Sequence, residues 1–473
     1  MSTGSNGKPH ILVFPFPAQG HLPPLLDLTH QLSLKDLTIT ILITPKNLPS
    51  LTPLLSLHPN IQTLILPFPS HPKVPPGVEN VKDLGNHGTV PVICAMANLQ
   101  EPIIQWFESH PNPPVAILSD FFLGWTLQLA KRIKVPRFTF FSSGAFLSCI
   151  LHYCWRNPGT YLGRPVVDFP DLPNSPSFRE DNIPSTFRRY TESDPEMQIM
   201  RNGMIANTES SGVVFNSFDA LEGVYFHHLR TRIGLPRVYG VGPLSLLGVA
   251  AHSSNRVNPN DNSGLGSETL GWLDGCPAGS VLYVCFGSQK LLNRQQMEAL
   301  ASGLEQSRTR FVWVVKTGTE QQVKDGYGAV PDGFEERVGG RGLVIRTWAP
   351  QVPILSHRAV GVFLSHCGWN STLEGIVAGV MILAWPMEAD QFVDAMLLVE
   401  DMGVAVKVCE GADGVPDSAE LAKAIAESMS LDAPQKVKAK ELKEKALEAV
   451  KEGGSSLKDL DKFVKELEQL IVT

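Results

Sequence analysis

Short, near-continuous apolar runs alternate with amphipathic helical patterns along most of the chain. In the first half these runs cover residues 10–16, 37–44, 61–68, 115–120, 137–141 and 212–217. In the second half they cover residues 280–286, 310–315, 343–348, 360–365 and 381–385. Strands that are apolar on both faces and separated by helices are typical of parallel sheets covered on both sides. The sequence therefore predicts an α/β fold of doubly wound parallel sheets.

The alternation is interrupted once, which indicates two domains. A chain of 473 residues is too long for one ordinary domain. Residues 248–266 are rich in Asn, Ser, Gly and Pro and have no apolar period, as in an exposed linker. We therefore predict an N-terminal domain over 1–247, a C-terminal domain over 267–455 and a cleft between them. The last segment, 456–473, is predicted to be a helix that packs back on the N-terminal domain.

Charge and cysteine content narrow the function classes and the compartment. A net charge of −7 gives no electrostatic reason to expect nucleic acid or an anionic membrane as a partner. The seven cysteines are scattered and form no CxxC pair, so we expect reduced thiols in a cytoplasmic protein. The apolar run Ile11–Phe16 is short and contains Pro15, which predicts a buried strand. We expect neither a signal peptide nor stable membrane insertion.

A strand, a tight turn and a helix start follow one another between Val360 and Ser371. The turn is His366-Cys367-Gly368-Trp369, and the helix opens at Asn370-Ser371. The N–H groups and positive dipole end of a helix N-terminus form a ready site for a diphosphate. Side-chain donors on His366, Asn370 and Ser371 add to that site. A Ser or Asn at such a place is also a common helix cap, so this segment alone leaves the question open.

Further polar and aromatic groups flank this segment at suitable spacing. Glu374 lies one helical turn beyond Asn370, where its carboxylate can accept hydrogen bonds from both hydroxyls of a ribose. Trp348 at a strand end can stack on a planar base. Asp390 and Gln391 can contact sugar hydroxyls. A lone tryptophan is more often a core residue, so these groups taken one at a time leave the interpretation open.

A histidine and an aspartate follow two strands of the predicted first sheet. His21 lies between the first strand and the first helix, and Asp120 ends the strand at 115–120. The carboxyl ends of parallel strands are where α/β domains present catalytic groups. Histidine can take a proton from an attacking hydroxyl, and an aspartate bound to the imidazole stabilises its cationic form. A histidine at a helix start is more often a cap or surface group, so position alone leaves both interpretations open.

The sequence shows no motif for a metal or for other nucleotide cofactors. No Cys or carboxylate is arranged at zinc spacing around His357 and His366. A Walker loop and a GxGxxG after a strand are both missing, which argues against a kinase or a dinucleotide dehydrogenase. We therefore expect no metal and no cofactor. The helix N-terminus and its neighbouring donors are expected to stabilise a departing diphosphate instead.

The stretch from Trp348 to Gln391 resembles the signature box of plant family-1 UDP-sugar glycosyltransferases. It contains WAPQ, HCGWNS, LEG and ADQ in the family's order and spacing. The resemblance extends over the whole chain, including the PFPAQGH opening and the run from WLD to YVCFGS. It implies two facing Rossmann-like domains of the GT-B type, with the nucleotide sugar on the C-terminal one.

The family's motif also implies roles for individual residues. Uracil is expected on Trp348, with backbone bonds from Ala349, and the ribose is expected beside Gln351 and Glu374. The residues expected to bind the diphosphate are Ser288, His366, Asn370 and Ser371. The residues expected to face the sugar are Ser142, Trp369, Asp390 and Gln391. His21 aligns with the family's general base and Asp120 with the acid that orients it.

The resemblance predicts an inverting glucosyltransferase that acts as a monomer. UDP-glucose would be the co-substrate, and His21 would deprotonate an acceptor hydroxyl that displaces UDP to give a β-glucoside. Gln391 favours glucose, because galactose users of the family tend to have histidine there. The alternatives are another UDP-sugar (xylose, rhamnose or galactose), a C-glycoside product, or a UDP-sugar epimerase or binding protein on the same paired domains.

The acceptor is predicted only as a chemical class. The segments expected to line its site in the N-terminal domain are 86–99, 121–123, 146–154 and 183–200. Their Phe and Met content favours a flat, apolar molecule such as a flavonoid, a benzoate or another phenol.

Overall fold

Two compact units make up the structure, which is a computed structural model describing residues 8–235, 237–248, 265–288 and 290–471. As far as the chain is described, the first unit comprises Met1–Glu180, Thr186–His252 and Glu448–Thr473. The second comprises Asp181–Ser185 and Ser253–Leu447. Each unit has its own parallel sheet with helices, so the predicted α/β fold of two Rossmann-like domains is confirmed.

The first unit is built on a seven-stranded parallel sheet. Its strands are β1 (His10–Phe14), β2 (Thr38–Ile43), β3 (Gln62–Ile65), β4 (Ala116–Asp120), β5 (Arg137–Phe141), β8 (Gly212–Phe215) and β9 (Val238–Gly240). The spatial order is β3-β2-β1-β4-β5-β8-β9. A separate antiparallel pair consists of β6 (Val166–Asp168) and β7 (Ser177–Arg179). Every residue of β1, β4 and β5 is buried, as expected for strands covered on both faces.

Helices connect these strands. They are α1 (Leu22–Ser33), α2 (Thr52–Leu57), α3 (Thr89–Ala97), α4 (Gln100–Ser109), α5 (Thr126–Ile133), α6 (Ala145–Arg156), α7 (Pro158–Tyr161), α8 (Ser185–Arg188), α9 (Pro195–Asn207) and α10 (Asp219–Thr231). Prolines in the first turns of α1 and α9 suit positions whose N–H groups have no partner within the helix. Asp194 caps α9 by accepting a hydrogen bond from the Glu196 N–H.

The second unit is built on a six-stranded parallel sheet. Its strands are β10 (Val281–Cys285), β11 (Arg310–Val314), β12 (Gly342–Ile345), β13 (Val360–Ser365), β14 (Met381–Ala384) and β15 (Ala405–Lys407). The spatial order is β12-β11-β10-β13-β14-β15. The later helices of the chain are α11 (Leu265–Asp274), α12 (Arg294–Ser307), α13 (Glu320–Lys324), α14 (Phe334–Val338), α15 (Gln351–Leu355), α16 (Trp369–Ala378), α17 (Gln391–Met396), α18 (Ser418–Ser428), α19 (Pro434–Ala449) and α20 (Ser455–Gln469).

The direction of strand succession reverses once in each sheet. In the first sheet the reversal lies between β1 and β4, and in the second between β10 and β13. Doubly wound sheets bind ligands beyond the carboxyl ends of the strands at this point. His21 follows β1 and Asp120 ends β4, while Ser288 follows β10 and His366 follows β13. The predicted site residues thus lie at both reversal points.

The final helix, α20, belongs to the hydrophobic core of the first unit. Its buried apolar residues are Leu460, Phe463, Val464 and Leu467. The Phe463 ring lies 5.2 Å from that of Phe138 and 5.4 Å from that of Tyr239. The helix begins at Ser455, directly after the turn at Gly453-Gly454 and one residue before the predicted start at 456.

Three features differ from the sequence prediction or extend it. Of the predicted linker 248–266, residues 249–264 lie outside the described residues, and Leu265 and Gly266 belong to α11 rather than to a linker. The edge strands β9 and β15 and the hairpin β6–β7 were not predicted. Each of these strands has three residues, too few to show a period in the sequence.

Candidate active site

His21 and Asp120 form a hydrogen-bonded pair at the reversal point of the first sheet. The Nδ1 atom of His21 lies 2.9 Å from Oδ2 of Asp120. The Asp120 side chain is completely buried, whereas 16% of the His21 side chain is exposed. His21 precedes α1 without capping it through its side chain, so the capping interpretation does not apply. A carboxylate only accepts hydrogen bonds, so this contact puts the ring hydrogen on Nδ1 and leaves Nε2 as the basic nitrogen.

Neighbouring groups hold this pair in place. The Oδ1 atom of Asp120 accepts a hydrogen bond from the Phe122 N–H at 2.9 Å. The imidazole of His21 stacks on Phe121 and Phe122, with ring centroids 5.3 and 4.7 Å away. The Ser142 hydroxyl lies 3.0 Å from Nδ1 of His21 and donates to Oδ2 of Asp120 at 3.5 Å. Ser142, which was predicted to contact the donor sugar, is therefore engaged with the His–Asp pair, and its contact with the sugar stays a prediction.

His366 lies at the reversal point of the second sheet, between β13 and α16. Gly287, at φ +75°, follows β10, and a Cβ atom there would lie 2.7 Å from Nε2 of His366. The absence of a side chain at 287 thus lets the imidazole occupy its position. Burial lowers the pKa of His366 to about 4, so the ring is neutral near pH 7. Its Nδ1 atom is buried without a hydrogen-bond partner among the described residues.

A chain of hydrogen bonds links three predicted donor-site residues to a buried tyrosine. The Nε2 atom of Gln351 donates to Oε2 of Glu374 at 2.7 Å and to the hydroxyl of Ser371 at 3.0 Å. The hydroxyl of Tyr283, a buried residue of β10, donates to Oε1 of Gln351 at 3.3 Å. Ser371 and Glu374 are on α16, whose N-cap, Gly368, makes no side-chain cap. The structure therefore brings the two predicted ribose residues together with Ser371, one of the residues predicted to bind the diphosphate.

The remaining predicted donor residues of the second unit follow the strands β10, β12, β13 and β14. Trp348 is 40% exposed, whereas Trp369 and Ala349 are buried. Asn370 lies in the first turn of α16 and Asp390 directly precedes α17. Ser288 is exposed. The Oε1 atom of Gln391 accepts hydrogen bonds from the N–H groups of Met387 and Glu388, at 2.9 and 3.0 Å. Its Nε2 atom is therefore the end of the amide that can donate to a ligand.

The residues that the structure describes include neither a metal-binding cluster nor a membrane-spanning helix. They contain no group of three or more His, Cys, Asp or Glu side chains that could hold a metal ion. None of the described helices is both long enough and apolar enough to span a membrane. All seven cysteines are free thiols, and six of them are buried.

Family models match both halves of the chain. Residues 9–246 match the model described as glycosyltransferase, N-terminal domain, and residues 254–431 match UDP-glucoronosyl and UDP-glucosyl transferase. UDP-glycosyltransferase 89A2 of Arabidopsis thaliana is 51% identical over 98% of this chain and 97% of its own. The chain belongs to the plant family-1 UDP-glycosyltransferases.

Two further relatives of this UDP-glycosyltransferase have more specific names. Flavonol 3-O-glucosyltransferase UGT89B1 of Arabidopsis thaliana is 49% identical over 98% of each chain. The crystal structure of Arabidopsis thaliana UGT89C1 complexed with UDP-L-rhamnose superimposes with a TM-score of 0.77, at 39% identity over 97% of this chain and 99% of the other. The same protein has also been crystallised with quercetin, and that structure gives a TM-score of 0.78 at 40% identity.

Several side chains of the UDP-glycosyltransferase that contact the predicted site residues were not predicted from the sequence. Phe122 and Tyr283 carry no motif that marks them as partners of His21 and Gln351. Arg137 is fully buried beside Asp120, and a charged residue opening the strand RFTFF is the sequence signal for it. Asn207, at the end of α9, contacts Arg137 only because the fold brings together residues seventy positions apart.

Proposed function

We propose that this UDP-glycosyltransferase transfers glucose from UDP-glucose to a hydroxyl of a small phenolic, flavonoid-like molecule, with inversion at the anomeric carbon. The observation that carries the proposal is the 2.9 Å hydrogen bond between His21 and Asp120 at the reversal point of the first sheet. It supplies a general base with a defined tautomer, held by a buried carboxylate.

The acceptor half of the mechanism uses the free nitrogen of this pair. The Nε2 atom of His21 takes the proton from the acceptor hydroxyl as its oxygen attacks the anomeric carbon. The bond between that carbon and the UDP oxygen breaks in the same step, so an α-linked donor gives a β-glucoside. The carboxylate of Asp120 stabilises the imidazolium that forms, and no covalent enzyme intermediate is needed.

The donor half uses the start of α16. The leaving diphosphate gains negative charge, which the helix N-terminus and the side-chain donors of His366 and Ser371 are suited to stabilise. The Glu374 carboxylate is suited to accept from the ribose hydroxyls, and its bond to Gln351 fixes its orientation. We therefore propose that transfer needs neither a metal ion nor an organic cofactor.

A phenolic acceptor is supported by the packing around His21. Helix α9 contacts α3, α6 and the turn Phe121–Leu123, so the predicted acceptor segments form one cluster beside the base. Phe122, whose ring stacks on His21, is partly exposed and offers an aromatic surface. The name of the relative UGT89B1 and the quercetin complex of UGT89C1 point to flavonols as the first acceptors to test.

Rhamnose is the second candidate donor sugar. Gln391 favours glucose, but the relative crystallised with UDP-L-rhamnose is 39% identical to this chain. One experiment separates the two candidates. The purified protein is given equal concentrations of UDP-glucose, UDP-rhamnose, UDP-galactose and UDP-xylose with quercetin and a panel of simpler phenols.

Products are identified by mass spectrometry and by the anomeric proton coupling. We expect the glucoside to dominate, with a β linkage to oxygen. A dominant rhamnoside would mean that UDP-rhamnose, not UDP-glucose, is the donor. An α-glucoside would contradict transfer in a single inverting displacement. A carbon-linked product would contradict transfer to a hydroxyl. The absence of any glycoside with all phenols would refute the acceptor class.

A further inference from the structure

A fully buried arginine lies next to the His21–Asp120 pair and takes no part in the chemistry proposed above. Arg137 is the first residue of β5, and only 1% of it is exposed. Its guanidinium donates to oxygens 2.8–3.3 Å away on Ser119, Asp120, Thr139, Asn207 and Ser210. These acceptors are hydroxyl, amide and backbone carbonyl oxygens, all of them neutral.

Burying a cation among neutral acceptors costs free energy. Burial lowers the pKa of Arg137 to about 9, and the negative charge of Asp120 acts in the opposite direction. The side chain therefore stays positively charged near pH 7. Hydrophobic side chains in place of Arg137 and its polar partners would avoid this cost, so stability alone does not account for the network.

The hydrogen bonds of this network converge on three consecutive residues. Arg137 binds the hydroxyl of Ser119 at 2.9 Å and the backbone carbonyl of Asp120 at 3.3 Å. Asn207 accepts from Arg137 through Oδ1 at 3.0 Å and donates through Nδ2 to the carbonyl of Phe121 at 2.9 Å. The segment from 119 to 121 is thus held at each residue, through the side chain of Ser119 and the backbone carbonyls of Asp120 and Phe121.

Helix α9, which ends at Asn207, packs directly on the turn that follows. A Cβ atom on Gly124 would lie 1.9 Å from the carbonyl oxygen of Gly203, so the two backbones are in contact. The network therefore joins α9 to the carboxyl end of β4. A shift at this strand end would move the Asp120 carboxylate together with the rings of Phe121 and Phe122, which stack on His21.

We propose that Arg137 and Asn207 are positioning residues for glycosyl transfer, which hold the strand end 119–121 so that the His21 imidazole keeps its catalytic orientation. This inference rests on the proposed role of His21 as the base. Neither residue touches the substrate; both act through Asp120 and the aromatic rings. Small displacements of a base reduce turnover strongly while leaving the binding of the other substrate intact.

The key variant is Asn207→Asp. The new carboxylate has almost the same shape and still accepts from Arg137, but it cannot donate to the Phe121 carbonyl. The matched control is Asn47→Asp in the same unit. Asn47 is also buried, accepts through Oδ1 from Asn80 at 2.8 Å and donates to the carbonyl of Glu79 at 3.0 Å. The control makes the same chemical change away from Asp120.

Turnover is measured with two phenols that the wild-type protein glucosylates and that differ in acidity through an electron-withdrawing substituent. An acidic phenol is already largely ionised and needs less help from a base. For Asn207→Asp we expect kcat to fall at least about tenfold with the less acidic phenol and less than about threefold with the acidic one. The KM for UDP-glucose should stay within about twofold, and Asn47→Asp should show no such difference between the phenols.

Two further variants complete the test. Arg137→Lys keeps the charge but not the planar fork, and it should show the same dependence on phenol acidity. If Asn207→Asp is not recovered folded, Asn207→Ala, which deletes both bonds, takes its place. An equal loss with both phenols would mean a structural role only and would overturn the inference. His21→Ala is measured alongside. If its turnover equals that of the wild type, the proposed base is wrong. If its turnover falls more with the less acidic phenol while the Asn207 and Arg137 variants are unaffected, only the present inference is rejected.

Discussion

The two carboxylate oxygens of Asp120 have different partners, and this difference makes the residue testable by a single-atom change. One oxygen accepts from the Phe122 N–H and the other from Nδ1 of His21. In Asp120→Asn the amide oxygen is needed by Phe122, so the NH2 group would face His21. Its donation would move the ring hydrogen from Nδ1 to Nε2 and remove the basic lone pair.

We therefore expect Asp120→Asn to lower kcat by about 10²–10⁴-fold, with little change in the KM for UDP-glucose. The measurement is steady-state turnover with saturating phenol. Asp459→Asn serves as the control, because Asp459 is another buried carboxylate of the first unit that accepts from a backbone N–H, that of Gly240. Unimpaired turnover in Asp120→Asn would remove Asp120 from the mechanism.

Gln391 combines two functions that substitutions can separate. Its Oε1 atom supports the backbone at Met387 and Glu388, and Nε2 is the atom proposed to contact the sugar. Gln391→Glu keeps the supporting oxygen and loses the donor, whereas Gln391→His alters both. We expect both variants to lower kcat/KM for UDP-glucose, and Gln391→His to raise the ratio of UDP-galactose to UDP-glucose use. An unchanged ranking of donor sugars in both variants would move sugar selection to other residues.

At the scale of elements, the turn between β10 and α12 positions the turn between β13 and α16. A methyl group at Gly287 would meet Nε2 of His366 and would also be strained at φ +75°. Gly287→Ala should therefore weaken UDP binding by about tenfold or more, measured by calorimetry. Gly279→Ala is the matched control: it precedes the same strand with φ +65°, and its nearest contact is 3.6 Å away. Equal UDP affinity in both variants would contradict the assignment of His366 to the diphosphate.

The start of α16 carries a second prediction about the leaving group. The helix N-terminus and the donors around it are proposed to stabilise the diphosphate without a cation. Turnover should persist in excess EDTA, and added magnesium or manganese should change it little. Loss of activity on chelation, with recovery on adding manganese, would contradict this assignment.

The elements show what the sequence could and could not predict. The eleven apolar runs all became strands, and central strands such as β1 and β10 are continuously apolar because they are buried on both faces. Edge strands such as β9 and β15 were missed because three residues show no period. Residues of the candidate site that belong to contiguous motifs, such as His366 and Glu374, could be proposed from the sequence. Partners such as Asn207 and Tyr283 depend on which strand end or helix end lies beside the motif, which is decided by tertiary packing.

At the scale of the whole molecule, the first unit depends on residues from both ends of its sequence. Phe463 of α20 is completely buried against Phe138 and Tyr239. Phe463→Ala should destabilise the first unit by about 3–5 kcal/mol. Calorimetric melting should show one transition moved to lower temperature, while Ile471→Ala, at a position that is 39% exposed, should leave both the midpoint and turnover unchanged. An unchanged melting curve for Phe463→Ala would contradict the packing of α20 in this core.

Because α20 comes last in the sequence but packs in the first unit, the order of translation affects when that unit can complete its core. A ribosome completes β1 to β9 early, but the helix that covers part of their core emerges only after the whole second unit has been translated. The nascent first unit must therefore wait, with the apolar surface beside Phe138 open, for the time needed to add roughly two hundred residues, on the order of ten to forty seconds at usual elongation rates. During that interval a chaperone that binds exposed apolar surface can bind the nascent first unit. The second unit, although translated later, is the first to have its entire sequence available for folding.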